Sequence, residues 1–304
     1  MPTNQILFRG QRPAVRWLRP LVILLTLLAV PAVPRAQEKS LLWKIRSGPN
    51  TITILGSIHF LKKENYPLKK NIETALDSAK KLVLEINLLA MDAQKNQQVV
   101  MEKAVNRDGS TLQQNVSSET FALTEEKARD LGIDVSSVSP FKPWFVALTL
   151  SSLKLQKLGL DPTYGVDRYL AERAKKSGKP ISGLETFELQ IGVFDGLSPR
   201  EQESMLRETL QDMDALDKSA DRIVQAWLRG DAASLEEALL SGMRAYPALF
   251  QKLIVDRNRR WLPEIERLIK QGENPLIVVG AAHLVGKDGV IELLKQQGYT
   301  VEQL

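Results

Sequence analysis

Both histidines of this 304-residue chain stand last in a Gly-small-x-His tetrad, Gly56-Ser57-Ile58-His59 and Gly280-Ala281-Ala282-His283. Imidazole is a general base near neutral pH and, when neutral, a ligand for divalent metals. Two copies of one uncommon context therefore point to a shared centre. Glu85, in Leu82-Val83-Leu84-Glu85-Ile86, is a carboxylate among aliphatic side chains. A charge so placed needs a metal, another cation or strong hydrogen-bond donors, because unpaired desolvation is costly. Burial would raise its pKa toward the range of a general base, whereas a metal would lower it. Glu185 ends the run Pro180-Ile181-Ser182-Gly183-Leu184 in the same way. Arg257 is a candidate partner for either carboxylate, or a bidentate anchor for a substrate carboxylate.

These residues need elements that bring them together. Leu41–Leu55 reads as two short strands around Ser47-Gly48-Pro49-Asn50, and the second runs directly into the first tetrad. A helix is expected over about 67–80, then a buried strand from Lys81 that carries Glu85. From about 90 to 255 the pattern is mainly helical, with an apolar helix at Trp144–Leu155, another at Tyr164–Gly178 and a short strand before Glu185. The run Asp212–Asp217 reads as a solvated face. The last 50 residues return to strand and helix: Pro275–Val279 leads into the second tetrad, and a helix near 289–297 and a short strand at Tyr299–Val301 follow. The order strand–helix–strand at both ends predicts an α/β fold with a central mixed sheet, flanking helices and a helical middle region. In such sheets ligands bind beyond the C-terminal ends of the strands, where both tetrads fall.

Composition removes several chemistries. The absence of cysteine excludes thiol nucleophiles, thiolate ligands and disulfides. The 41 basic and 36 acidic residues give +5, but five arginines and no acid lie in residues 1–36, so 37–304 is neutral at 36 against 36. Nucleic acid is thus a poor partner. Residues 1–36 read as a secretory signal peptide, with an arginine-bearing start, the apolar run Leu21–Val30 and possible cuts at Ala32 or Ala36. Periplasmic or secreted placement, with no membrane span after cleavage, is expected. No His-Glu-x-x-His helix, phosphate-binding Gly-x-x-x-x-Gly-Lys-Ser/Thr or Gly-x-Ser-x-Gly elbow occurs.

Taken in order, the motifs resemble the TraB/GumN family, which is related to the Tiki metalloproteases and, further off, to erythromycin-esterase-like and ChaN-like proteins. The resemblance spans about 41–304. It rests on Thr53–His59, Leu82–Glu85, Gly165-Val166-Asp167-Arg168-Tyr169-Leu170, Gly183-Leu184-Glu185-Thr186 through Gln190, Arg257-Asn258, and Val278–Gly286 with Gly289. Ala282 stands where many relatives have glycine. The resemblance implies a divalent-metal hydrolytic site, with manganese or cobalt used by Tiki members. It matches His59, His283 and Glu185 to metal-site positions, Glu85, Arg257 and Asn258 to catalytic ones, and Asp167 and Arg168 to substrate contacts.

The reading that follows is an exported metal-dependent hydrolase of peptide or other amide or ester bonds, holding manganese, cobalt or zinc. Glu85 would be a ligand or the base, and Arg257 or Asn258 would stabilise an oxyanion or anchor substrate. A metal-free enzyme with one histidine as base is a second reading. A periplasmic peptide- or ligand-binding protein that sequesters without cleaving is a third. Residues 37–304 are expected to form one domain with a helix-rich insertion at about 90–255.

Overall fold

A computed structural model describes residues 39–304 except 88, 91 and 245. The leader expected at 1–36 lies outside the described residues. Strands β1 (Leu42–Ser47) and β2 (Asn50–Ser57) form an antiparallel hairpin, its turn made at Gly48, whose φ of 55° suits glycine. After helix α1 (Lys70–Ser78), strand β3 (Lys81–Leu84) enters the sheet. The middle region holds α2 (Ala93–Ala104), α3 (Leu112–Asn115), α4 (Ser118–Leu131), α5 (Pro143–Lys157) and α6 (Val166–Lys176). Strand β4 (Ile181–Gly183) follows, then α7 (Phe187–Asp195), α8 (Pro199–Asp212), α9 (Leu216–Arg229), α10 (Ala232–Arg244) and α11 (Pro247–Phe250). A π-helical turn, Gln251–Val255, leads into α12 (Asp256–Gln271). Strand β5 (Pro275–Gly280), α13 (Val290–Gln296) and strand β6 (Thr300–Gln303) complete it.

The six strands lie in the order β4-β3-β5-β2-β1-β6, a mixed sheet flanked by helices as expected. Strands β4, β3, β5 and β2 are mutually parallel, so their C-terminal ends share one edge. Ser57 pairs in register with Gly280, which sets the two tetrads side by side. β5 is apolar throughout (Pro-Leu-Ile-Val-Val) and buried on both faces, as a central parallel strand must be.

The main core joins Ile52, Ile54, Leu82, Leu276 and Ile277 of the sheet to Trp261, Ile265 and Ile269 of α12 and to Leu170 and Ala174 of α6. A smaller core in the middle region unites Val146 and Leu150 of α5 with Leu206 and Leu210 of α8. Trp227 of α9 donates to Gly56 O at 2.7 Å, tying that region to the strand before His59.

One local expectation changes. β3 ends at Leu84, one residue short of Glu85, whose side chain accepts from Gly280 N–H (2.7 Å) at the edge of the sheet. The acidic run at 212–217 spans the break between α8 and α9, with Asp212, Asp214 and Asp217 exposed as expected; Asp214 accepts from buried Lys127 at 2.8 and 2.9 Å, as Glu126 does at 3.0 Å.

Candidate active site

Gly165 caps α6, and a Cβ there would stand 2.5 Å from His59 O. Only glycine lets the start of α6 approach that backbone, where Val166 N–H bonds Ile58 O at 3.0 Å. The approach brings Asp167, in the first turn, against the imidazole: Asp167 Oδ1 lies 3.1 Å from His59 Nδ1. The carboxylate raises the His59 pKa, to about 9. With 58% of the ring exposed, solvent screens that pairing.

Arg257, in the first turn of α12, is buried among acceptors. Its Nη2 donates at 2.6 Å to Glu85 Oε2 and at 2.6 Å to Glu185 Oε1. Nε donates to Glu185 Oε1 at 3.1 Å, and Nη1 to His283 Nε2 at 3.0 Å and Leu253 O at 3.4 Å. Trp261, one turn on, donates to Glu185 Oε2 (3.2 Å) and lays its ring 4.7 Å from the guanidinium carbon. Gln190 of α7 donates to both carboxylates, at 3.0 and 3.3 Å.

The partners fix the protonation of His283. Asn258 spends its amide N–H bonds on His283 O (3.2 Å) and Asp288 O (2.9 Å), so its Oδ1 accepts from His283 Nδ1 at 2.7 Å. Arginine can only donate, so His283 Nε2 is the acceptor and the ring is neutral. Burial, with the nearby charge of Arg257, agrees by pushing its pKa down to about 4. Burial alone would raise the Glu85 carboxyl. The positive charge a protonated His283 would carry, with Arg257, His59 and the Gly280 N–H, outweighs that and holds it at about 2.

Above this buried layer opens a pocket of about 360 Å³, lined by His59, Glu85, Gln190, Phe194, Arg257 and His283, with Ser57 and Gly280 between the strands. A Cβ on Gly280 would come 3.2 Å from Glu85 Oε1 and 3.8 Å from His59 Nε2, so this glycine keeps the centre open. Ser57 is buried and its hydroxyl has no partner among the described residues. A larger cavity, about 930 Å³, lies between α8, α9 and α10 and carries no histidine; Leu239 lines both spaces. The titratable groups His59, Glu85, Arg257 and His283 converge on the smaller space.

A family model described as the TraB/PrgY/gumN family matches residues 41–303. The chain belongs to that family. The uncharacterized protein YbaP of Escherichia coli (strain K12) is 26% identical to it over 242 residues, covering 80% of this chain and 87% of its own. An uncharacterized protein of Treponema pallidum (strain Nichols) is 24% identical, covering 88% and 84%. A protein named metalloprotease TIKI homolog, from Amphimedon queenslandica, is 22% identical over 319 residues, covering 88% of this chain and 62% of its own. No solved structure is significantly similar to the chain.

The fold gathers Glu85, Glu185, Arg257, Asn258 and His283 into one hydrogen-bonded network and sets the His59–Asp167 pair beside it, with His59 lining the same pocket. Arg168 stays outside it, exposed and paired with Glu172 at 3.1 Å. Among the described residues no three His, Asp or Glu side chains are grouped so as to hold a metal ion. As arranged, the donors do not fit a divalent ion, because Glu85, Glu185 and His283 all face the Arg257 guanidinium. The sequence assigns no role to Gln190 or Trp261. The Arg257–Trp261 spacing of four, which puts both on one helical face, was the available signal for the latter.

Proposed function

We propose that this family member is an exported hydrolase of peptide or other amide or ester bonds, with water activated at the pocket beyond β2 and β5. The observation that carries this reading is the His59–Asp167 pair at 3.1 Å, set at the open mouth of a buried Glu–Arg–Glu–His cluster. Asp167 accepts from Nδ1–H and leaves the Nε2 lone pair for a proton of the attacking water. As water adds to the carbonyl carbon, His59 takes that proton and returns it to the leaving nitrogen or oxygen. The Ser57 hydroxyl, unpartnered among the described residues and lining the same pocket, would donate to the developing oxyanion. Arg257 and Asn258 have their donors committed within the protein, so they position Glu85 and His283 and do not grip substrate. A chain-like substrate would extend past Leu239 into the larger cavity. The leader-like residues 1–36 support export.

The relatives named metalloproteases favour a second reading, in which His59 and His283 with Glu85 or Glu185 hold manganese, cobalt or zinc. In the structure the donors of His283, Glu85 and Glu185 are committed to Arg257 and Gly280.

The test is product formation from a peptide and ester library by purified protein, beside His59→Ala. Turnover that falls by about 10²–10⁴ in the variant, with unchanged fold, is the expected result. Capture of peptides with no product from wild type would instead favour sequestration.

A further inference from the structure

We infer that Arg257 is the resident cation of this centre, its guanidinium holding the place a divalent metal would need, and that the donors become a metal site only when the guanidinium is removed. Three features carry this beyond the hydrolase reading.

Saturation is the first. A guanidinium has five N–H bonds, and those of Arg257 meet Glu85 Oε2, Glu185 Oε1 (twice), His283 Nε2 and Leu253 O. Nothing is left over to turn toward solvent, and Trp261 covers the flat face.

Charge is the second. Glu185 is fully buried in its side chain and Glu85 nearly so. Two such carboxylates need a cation close by, and Arg257 supplies it at 2.6 Å from each. A divalent ion on the same oxygens, at metal–ligand distances of about 2.0–2.2 Å, would collide with Nη2 and be repelled by its charge.

The third is the state of His283. A metal ligand needs a free imidazole lone pair. His283 already has the right tautomer, fixed by Asn258, but its Nε2 lone pair is spent on Arg257 Nη1. Truncating Arg257 would release in one step a neutral imidazole nitrogen and two carboxylates that now point at a common spot.

The experiment is cobalt(II) titration of full-length wild type and Arg257→Ala, followed by visible absorption, calorimetry and melting temperature. Hydrolysis is not read, so failure of the hydrolase reading does not mimic failure here. Wild type is expected to show no cobalt binding that depends on His283. Arg257→Ala is expected to take up a single ion, roughly 100-fold or more tighter than wild type, with a rise in melting temperature. Adding Glu185→Gln to that variant should abolish the uptake. A single cobalt bound by wild type and lost in His283→Ala overturns the inference. So does a folded Arg257→Ala that binds no better than wild type. Should Arg257→Ala not fold, the wild-type and His283→Ala titrations decide alone.

Discussion

His59 and Asp167 are 108 residues apart in the chain, yet Nδ1 of one lies 3.1 Å from Oδ1 of the other. The contact exists because residue 165 lacks a side chain, so the start of α6 can press on the His59 backbone. On the hydrolase reading, Asp167→Asn keeps the shape and removes the charge that raises the His59 pKa. A base must be deprotonated to act. Wild-type kcat/KM should therefore climb with pH to a midpoint between the ordinary histidine value and about 9. In Asp167→Asn that midpoint should move to lower pH, with a drop of roughly 10²-fold on the plateau. An unmoved midpoint would remove His59 as the base.

Gly280→Ala tests the open centre. The backbone there (φ −52°, ψ 137°) suits any residue, so the melting temperature should hardly change. The added methyl would press on Glu85 Oε1 at 3.2 Å and intrude between His283 and His59. Turnover should fall by about 10²-fold, since small displacements of reacting groups are costly. Thermal unfolding beside the peptide assay separates the two effects.

Asn258→Ala strips the acceptor from His283 Nδ1 and the donors from His283 O and Asp288 O, all around a fully buried side chain. A loss of roughly 1–3 kcal/mol in denaturant unfolding is expected. Asn258→Asp restores the Nδ1 acceptor but not the amide donors, so it should recover only part of the loss.

Glu208, on α8 beside the larger cavity, is raised to about 7 by burial and by the charge of Asp212. Its folded value exceeds the unfolded 4.5, so its contribution to stability is fully present below 4.5 and is lost as pH rises toward about 7. Melting temperatures across that interval should show less decline in Glu208→Gln than in wild type. Equal slopes would mean that the carboxyl titrates normally.

The strands of the sheet, though not their order, were legible because their signals are local. Apolar runs of β2 and β5 each end on a Gly-small-x-His tetrad, and a strand–helix–strand order implies that such ends align. Glu85 and Glu185 also announced themselves, as charges closing apolar strands. What could not be read was how they are satisfied. Arg257 was a possible partner of one of them, but that it serves both, and His283 as well, depends on the meeting of β3, β4 and the α12–β5 segment, from three distant stretches of chain. Arg168 illustrates the opposite limit: it neighbours Asp167 in sequence, but a step of one residue on a helix turns a side chain by about 100°, here out to Glu172.

β5, near the C-terminal end of the chain, lies in the middle of the sheet, between β3 and β2. During synthesis those two strands have no neighbour to join them until residues 275–280 emerge. Gly280 and His283 arrive with the same segment, and Arg257 only shortly before. A growing or truncated chain that ends before them thus lacks half of its tetrads and the cation for its buried acids. Whatever chemistry the pocket performs is withheld until residues 257–283 have been made.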